Sequence, residues 1–431
     1  MQLSTQMTDL FRFHDKSFFR HDRVSSQQQC LSFPELLFVK TLNQNRDEND
    51  DMRLQNNLAG RKLLFTPGPL NTSSAVRTAM TRDLGSRDSE FTEVTQAVEK
   101  HLRTVAQAGS EVAVVLLQGS GTFAVEAMIG SLLPRPSRVL VLVNGAYGER
   151  IVRIAERIGL SVEIQRSSPT QAINPRDVAR ALDRDETIQS VVMVHGETTT
   201  GLVNDLEAVA TIARQRGRNL FVDAMSTFGG IPFSVSELGL AGLAASSNKC
   251  LEGAPGISFV FAQRRIIECC QGRSHSVSLD LFEQMRQFDS NGQWRFTPPT
   301  HVMAALATAL VQLDIEGGVP ARMRRHQANR AAIVAGFRDL GFDTLIEDGV
   351  QGSVIVTFKI PAWTNFRIEE LYCDLADQNI HLYPGKLTEE PTFRVGCIGD
   401  INCNDIGRML SAVERYLRRI GRLKDIRRSA V

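Results

Sequence analysis

The segment Val112-Ala-Val-Val-Leu-Leu-Gln-Gly-Ser-Gly-Thr122 joins a run of apolar residues to a glycine-rich turn. The run that begins at Val112 is continuously apolar rather than alternating, which is typical of a strand buried on both faces of a parallel sheet. Residues 122–133, directly after the turn, have the apolar spacing of a helix. This strand, turn and helix predict the beginning of a βαβ unit.

Strand-like and helix-like segments continue to alternate after this unit. Strands are predicted at 112–118, 139–143, 161–165, 191–195 and 220–223, and helices at 147–158, 175–182 and 206–216. Two more predicted strands, 243–247 and 257–261, are close enough in sequence to form a hairpin, which we expect at one edge of the sheet. The pattern predicts an α/β fold with a mostly parallel sheet flanked by helices.

The pattern changes near residue 300. Two long helical stretches at 301–315 and 322–340 precede a strand at 353–358, a helix at 368–378, a strand at 392–395 and a helix at 404–419. We therefore predict a large domain over residues 61–315 and a smaller α+β C-terminal domain over residues 316–431.

The first 60 residues differ from the rest of the chain. None of the 32 glycines precedes Gly60, and no sustained apolar period is present. Acidic residues are interspersed among the basic ones, which argues against a transit peptide. We predict an irregular or disordered N-terminal extension over 1–60, with Met52 as an alternative start.

The composition of the 431-residue chain excludes several classes of protein. The 49 Lys+Arg and 48 Asp+Glu residues nearly cancel, whereas nucleic-acid-binding proteins usually carry a basic excess. No apolar run approaches the ~18 residues that span a bilayer. The 7 cysteines are an odd number without a Cys-x-x-Cys pair. We expect a reduced, cytoplasmic protein, with neither metal, nucleic acid nor membrane as a partner.

Three short motifs place polar groups at the ends of predicted strands. The turn at 118–122 puts backbone N–H groups and the hydroxyls of Ser120 and Thr122 at a helix start, where the helix dipole favours an anion. Asp223 and Lys249 each follow a predicted strand, and ligands of open α/β sheets bind outside such strand ends. Taken singly, each motif has a structural explanation: a tight turn, a helix cap and an exposed lysine.

Together the three motifs meet the requirements of pyridoxal 5′-phosphate (PLP). The turn would hold the phosphate, Asp223 would pair with the protonated pyridine nitrogen, and Lys249 would form the Schiff base. A lysine in a confined site loses its proton more readily and can attack a carbonyl carbon. Tyr147, at the next predicted strand-to-helix turn, is placed to cover the ring.

A series of segments, in order over roughly residues 63–420, matches one family. They are Leu64-Phe-Thr-Pro-Gly-Pro69, Gly85-Ser-Arg-Asp-Ser-Glu-Phe91, Gln118-Gly-Ser-Gly-Thr122, Asn144-Gly-Ala-Tyr-Gly-Glu-Arg150, His195-Gly-Glu-Thr-Thr-Thr-Gly201, Val222-Asp-Ala-Met-Ser-Thr-Phe-Gly-Gly230, Ser247-Asn-Lys-Cys-Leu-Glu-Gly253, Phe296-Thr-Pro-Pro-Thr-His301 and Phe393-Arg-Val-Gly396. With them the chain resembles the fold-type I PLP-dependent aminotransferases of the alanine–glyoxylate and serine–pyruvate group. Within that group it is most similar to the 2-aminoethylphosphonate–pyruvate transaminases.

The resemblance implies which residues bind the cofactor and the substrate. It implies Lys249 as the Schiff-base lysine and Asp223 as the partner of the ring nitrogen. Further cofactor contacts are implied at Ser120, Gly121, Thr122, Tyr147 and Thr198. Thr297 is implied to reach the cofactor phosphate of a neighbouring subunit, which means a homodimer with shared active sites. Arg394 is implied to bind the acidic end of the substrate, because a planar guanidinium suits both a carboxylate and a phosphonate.

The implied reaction transfers the amino group of 2-aminoethylphosphonate to pyruvate and gives phosphonoacetaldehyde and L-alanine. An alanine–glyoxylate or serine–pyruvate aminotransferase is the nearest alternative, since it uses the same cofactor with a different donor. A lyase or desulfurase on the same scaffold and a non-enzymatic binding protein are further alternatives. No local cysteine motif favours a desulfurase.

Three residues near these motifs have competing interpretations. We expect His195 to make a structural hydrogen bond rather than act as a general base, because the lysine already transfers protons. Cys250, beside Lys249, is expected to be a buried packing residue. Arg87 is either a phosphonate contact or part of a structural ion pair, and the ion pair is preferred.

Overall fold

The computed structural model describes residues 61–385 and 390–423, which belong to one compact unit. The predicted extension at 1–60, with Met52, lies outside the described residues, as do 386–389 and 424–431. The division into two domains near residue 315 stays a prediction.

The described elements follow the alternating order expected from the sequence. The strands are β1 (Leu63–Leu64), β2 (Val112–Gln118), β3 (Arg138–Val143), β4 (Ser161–Arg166), β5 (Ile188–Val194), β6 (Gly196–Glu197), β7 (Leu202–Val203), β8 (Asn219–Asp223), β9 (Gly242–Ser246), β10 (Ile257–Gln263), β11 (Ile355–Lys359), β12 (Ile380–His381), β13 (Tyr383–Pro384) and β14 (Thr392–Gly396). The helices are α1 (Ser74–Ala79), α2 (Ser89–Val105), α3 (Gly121–Leu132), α4 (Ala146–Ile158), α5 (Pro175–Arg184), α6 (Leu206–Gln215), α7 (Val235–Leu238), α8 (Arg264–Ile267), α9 (Leu281–Asn291), α10 (Thr300–Glu316), α11 (Gly318–Asp339), α12 (Ile368–Ala376) and α13 (Cys403–Arg419).

A seven-stranded sheet in the order β2-β10-β9-β8-β5-β3-β4 forms the main layer. Every neighbouring pair is parallel except the two pairs made by β10, which are antiparallel. The prediction of an α/β fold with a mostly parallel sheet is confirmed.

Both faces of this sheet are covered, which explains the continuously apolar strands. In β2, Val114 and Leu116 enter a core shared with α2, α5, α6 and α10. Val115 and Leu117, which point the other way, enter a core shared with α3, α4 and α9. Because successive side chains of a strand alternate between faces, a strand between two helical layers needs apolar residues at every position.

The hairpin of β9 and β10 forms as predicted, but its expected place at the edge of the sheet is wrong. β10 also pairs with β2 over its full length, so β2 is the edge strand. Both faces of β10 are buried, with Phe259 in one core and Val260 in the other, and this apolar surface requires an interior position. Because β10 is antiparallel to both of its neighbours, β2 and β9 run in the same direction. The carboxyl ends of β2, β8 and β9 therefore lie at the same edge of the sheet.

A smaller three-stranded sheet, in the order β11-β14-β13, is antiparallel throughout. Helices α11, α12 and α13 share one apolar core with it. Aromatic rings fill the centre of this core, with ring centroids 4.5 Å apart for Phe337 and Phe358 and 5.5 Å apart for Phe358 and Phe393. α13 begins with a capping box, in which the Asn402 side chain and the Asp405 side chain each accept a backbone N–H of the other residue.

No prediction covered α1, α2 or α9. For α2 a signal was present, because Phe91, Thr95, Val98 and Leu102 recur at helical spacing and are all buried.

Within residues 61–385 and 390–423, no single helix has the length and apolarity of a membrane span; α10 and α11 meet that test only as a pair, across an 84° bend.

Candidate active site

The carboxyl ends of the parallel strands open into a cavity of about 580 Å³. Seven of the residues predicted to bind a cofactor line it: Ser120, Gly121, Thr122, Tyr147, Thr198, Asp223 and Lys249. They lie at the ends of different strands or in the segments that follow those strands. The parallel order of the strands therefore brings together residues that lie far apart in sequence.

The turn between β2 and α3 presents hydrogen-bond donors to this cavity. Ser120 is the N-cap residue of α3, and its hydroxyl makes no capping hydrogen bond. Gly119 has a φ of 141°, a conformation that favours glycine, and a Cβ on Gly121 would overlap the Met225 side chain. The backbone therefore approaches the cavity without side chains in the way, and the N–H groups at the start of α3 are suited to an anion.

Asp223 ends β8 and is buried. Its Oδ1 accepts a hydrogen bond from the backbone N–H of Met225 at 2.9 Å. Burial raises the pKa of this carboxyl group from 3.8 to about 6. A buried carboxylate that lies in a cavity is a strong partner for a cationic nitrogen of a ligand.

Lys249 follows β9 and also lies in the cavity wall. Its Nζ donates to the carbonyl oxygen of Gly68 at 3.2 Å. Burial lowers the pKa of the amine from 10.5 to about 8. With a pKa of about 8, roughly a tenth of Lys249 is the neutral amine at pH 7. The neutral amine is the form that acts as a nucleophile or accepts a proton.

The segment Thr66-Pro-Gly-Pro69 passes directly over this lysine. Gly68 has a φ of 108°, and a Cβ there would lie 2.5 Å from the Asn248 carbonyl oxygen and 2.8 Å from the Lys249 Cδ. Only glycine fits such a close approach. The quoted family segment thus forms part of the wall around the amine.

A buried cluster of charges holds the loop after Lys249. Glu252 accepts from Arg325 at 2.8 Å, from His326 at 3.2 Å and from the backbone N–H of Gly399 at 3.0 Å. Arg322 donates to the Cys250 carbonyl oxygen at 2.7 Å. Burial by itself raises the pKa of Glu252, but the hydrogen bond from His326 and the two arginine charges lower it to about 2. Glu252 is therefore ionised and paired.

Tyr147 and Arg150 form a second wall of the cavity. The guanidinium carbon of Arg150 lies 4.9 Å from the centroid of the Tyr147 ring, and its Nη1 donates to Thr122 Oγ1 at 3.0 Å. The backbone N–H of Tyr147 donates to Glu197 Oε2 at 3.1 Å, and burial raises the pKa of that carboxyl group. These contacts hold the start of α4 against the start of α3.

Arg394 lies in β14, with its side chain on the opposite face from Phe393 and Val395, which pack in the core of the smaller sheet. Only 2% of Arg394 is exposed. Its Nε donates to the Pro384 carbonyl oxygen at 2.9 Å, and its Nη1 donates to the Thr198 carbonyl oxygen at 3.0 Å.

The Arg394 guanidinium stacks at 4.7 Å on the ring of Tyr383, which lines the cavity. Arg394 itself is not among the residues that line the cavity. Two backbone carbonyls use two of its five N–H groups, so its remaining donors are on Nη1 and Nη2.

Thr297 is not part of this cavity. It lies instead with Arg87 in a separate cavity of about 400 Å³, and Arg87 donates to the side chain of Gln293. The prediction that Thr297 reaches the cofactor of a second subunit stays a prediction. The same holds for the alternative that Arg87 contacts a phosphonate.

His195 and Cys250 have the surroundings expected of structural residues. His195 Nδ1 is 2.8 Å from Thr227 Oγ1, and its ring contacts Phe233 edge-on. The Cys250 thiol donates to the Ser226 carbonyl oxygen, and burial raises its pKa to about 12. Neither residue lines the cavity.

The class-V aminotransferase family model matches residues 71–398. A 2-aminoethylphosphonate–pyruvate transaminase from Paraburkholderia phymatum is 46% identical over 362 residues, which cover 83% of this chain and 97% of that protein. A protein of the same name from Pseudomonas aeruginosa is 44% identical, over 83% of this chain and 96% of that protein. The chain belongs to the class-V aminotransferases. Members of this family depend on PLP.

Solved structures agree with the fold of this class-V aminotransferase. An alanine–glyoxylate aminotransferase from Nostoc sp. is 27% identical with a TM-score of 0.77, over 83% of this chain and 95% of that chain. A ureidoglycine–glyoxylate aminotransferase from Bacillus subtilis has the same TM-score of 0.77 at 24% identity, over 84% of this chain and 94% of that chain. The resemblance inferred from the sequence motifs is confirmed.

Several residues of the site in this class-V aminotransferase were not predicted. Arg150, Tyr383 and Glu252 are the main ones. Arg150 lies within a quoted family segment and one helical turn after Tyr147, so its spacing was a usable signal. Glu252 also lies within a quoted family segment, but its partners on α11 depend on how distant elements pack. Tyr383 lies in no quoted segment and had no such signal.

We expect His195 to make the stability of the protein fall in acid. Burial lowers its pKa from 6.5 to about 4. As the pH falls below 6.5, His195 of the unfolded chain takes up a proton and His195 of the folded chain does not, which favours unfolding. The free energy of unfolding is therefore unaffected by His195 above pH 6.5 and decreases as the pH falls to about 4. The shift corresponds to a loss of about 3 kcal/mol in the free energy of unfolding.

Urea unfolding of the wild type and of His195→Asn across this pH range measures the effect. Asn retains an atom that can hydrogen-bond Thr227 but takes up no proton, so the stability of the variant should depend less on pH. The exposed His275, changed to Asn, is the matched control and should leave the pH dependence unchanged. A His195→Asn variant with the wild-type pH dependence contradicts the assignment.

Proposed function

We propose that this class-V aminotransferase transfers the amino group of 2-aminoethylphosphonate to pyruvate, with PLP as its cofactor. The products are phosphonoacetaldehyde and L-alanine. The observation that carries the proposal is the cavity in which Lys249 and Asp223 lie beside an anion-binding helix start, with a buried arginine next to it. The choice of donor is supported by relatives of that name, which are 41–46% identical over nearly their full length.

The residues of the cavity fit PLP. The helix start at Ser120–Thr122 suits a phosphate, and the unused Ser120 hydroxyl adds a donor. Asp223 suits the protonated ring nitrogen, and Lys249 supplies an amine within the same cavity. Tyr147 and Thr198, which line the same cavity, would contact the ring. When bound, PLP supplies an electron sink that stabilises negative charge on the substrate carbon.

Lys249 moves the protons in this proposal. Because burial lowers its pKa to about 8, its Nζ would accept a proton from the amino-bearing carbon of the donor and, in the second half of the reaction, would supply one to the carbonyl carbon of pyruvate. The Gly68 carbonyl oxygen accepts a hydrogen bond from Nζ and limits where the amine points. The hydrogen bond from the Met225 N–H to Oδ1 fixes the orientation of the Asp223 carboxylate, which would pair with the protonated ring nitrogen.

Arg394 binds the acidic end of each substrate in turn. The donor carries a tetrahedral phosphonate and the acceptor carries a planar carboxylate, and each presents two oxygen atoms at once to two parallel N–H groups of a guanidinium. Its hydrogen bonds to Pro384 and Thr198 fix the plane of the guanidinium before substrate binds.

We further propose a homodimer with shared active sites, located in the cytoplasm. Thr297 lies outside the cavity of its own chain, as expected of a residue that acts on a partner. The odd number of cysteines supports a reducing compartment.

A donor panel tests the proposed function. With pyruvate as acceptor, 2-aminoethylphosphonate should give a kcat/KM at least about tenfold above that of serine. With alanine as donor and glyoxylate as acceptor, turnover should be similarly low. A preference for alanine and glyoxylate, or for serine, would assign the protein to the alternative aminotransferases.

Lys249→Ala should remove the covalent link to the cofactor. Incubation with PLP, reduction with borohydride and peptide mass analysis should locate the added mass at Lys249 in the wild type. Lys359→Ala, which removes an exposed lysine paired with Glu390, is the control and should keep the modification. An unchanged adduct in the Lys249→Ala variant would show that another lysine carries the cofactor.

Loss of Arg394 should impair both halves of the reaction. Arg394→Ala should lower kcat/KM for 2-aminoethylphosphonate and for pyruvate by an amount equivalent to about 2–5 kcal/mol each. Arg394→Lys should recover little, because a point charge does not reproduce the planar fork. The exposed Arg415, changed to Ala, is the control. If kcat/KM falls only for pyruvate, the hypothesis that Arg394 binds both substrates is wrong. Arg87 then becomes the candidate phosphonate contact.

A further inference from the structure

Arg150 contacts both the glycine-rich turn at the start of α3 and the aromatic ring of Tyr147. It lies on α4 one turn after Tyr147 and lines the same cavity. Its Nη1 donates to Thr122 in the turn at the start of α3, and its guanidinium stacks on the Tyr147 ring. One cation therefore contacts both the anion-binding turn and the aromatic wall.

No carboxylate in the described part of the chain forms an ion pair with Arg150. Two buried acids, Asp223 and Glu197, have hydrogen-bond partners of their own: Asp223 accepts from the Met225 N–H, and Glu197 accepts from the N–H groups of Tyr147 and Thr199. Burial raises the pKa of Asp223, and the Arg150 charge opposes this rise without a direct hydrogen bond. The guanidinium is half-buried and faces a cavity rather than open solvent. A cation in such a place favours an anionic ligand.

The cavity region has two arginines, and the proposed reaction brings two anionic groups. Arg394 is held by Thr198 and Pro384 and stacks on Tyr383. Arg150 is held by Thr122, in the turn whose N–H groups suit a phosphate. The two arginines are thus held by different residues, and only Arg150 is among the residues that line the cavity.

We propose that Arg150 is the counter-ion of the cofactor phosphate, an assignment that rests on the proposed function. The donors of the turn at 120–122 are neutral, whereas a phosphate monoester carries a charge of about −1.5 to −2 near neutral pH. The guanidinium supplies the full positive charge that the turn lacks. Its stacking on Tyr147 fixes its position by a contact that is independent of the phosphate.

The test compares the binding of PLP with that of pyridoxal, which lacks the phosphate. The dissociation constants of both are measured by visible absorbance for the wild type, Arg150→Gln and Arg150→Lys. Arg150→Gln should weaken PLP binding about 10- to 100-fold, as expected for loss of a hydrogen bond to a charged group. Pyridoxal binding should change less than about threefold, because the other contacts remain. Arg150→Lys, which keeps a charge, should lose less than Arg150→Gln.

Arg153→Gln is the matched control, since it removes an exposed arginine from the same helix and should change neither constant. An equal loss for PLP and pyridoxal in Arg150→Gln overturns the assignment and shows that Arg150 acts by holding Tyr147. Unchanged PLP binding overturns it as well. If Arg150→Gln does not fold, the same comparison in Arg150→Lys decides. A wild-type protein that binds neither compound refutes the proposed function itself.

Discussion

The position of the Lys249 amine depends on a buried ion cluster in the loop that follows it. Glu252 follows Lys249 by three residues, has a left-handed φ of 60° and is paired with Arg325 and His326. Arg322 ties the Cys250 carbonyl oxygen to α11. Removal of one partner from such a cluster leaves an uncompensated buried charge, which costs about 3–5 kcal/mol. The loop after the lysine therefore has one stable arrangement relative to α11.

The same burial that confines the site also tunes it. It raises the pKa of Asp223 to about 6 and lowers the pKa of Lys249 to about 8, because low polarity disfavours either charge. The lowered value for the lysine makes its amine available for bond formation. Asp223 keeps a hydrogen bond from a backbone N–H, which partly opposes the effect of burial.

The sequence predicted the parts of the site that follow apolar strands. Asp223 and Lys249 were identified because parallel strands end at a common edge, and the quoted motifs located Tyr147 and Thr198. The interior position of β10 was missed, since a hairpin between neighbours in sequence does not exclude a third partner on its other side. The Glu252 cluster was also missed, because it joins elements about 70 residues apart through contacts that no local period encodes.

Arg394 shows why the sequence alone left the donor open. Its guanidinium is fixed by two backbone carbonyls and an aromatic ring, and those contacts present the same remaining donors to any acidic group. A carboxylate and a phosphonate both satisfy this fork. If Arg394 binds the acidic end of the substrate, as proposed, discrimination between amino donors must come from the space around the arginine rather than from the arginine itself. Tyr383 covers one face of that space, and its place in β13 depends on the pairing of that strand with β14.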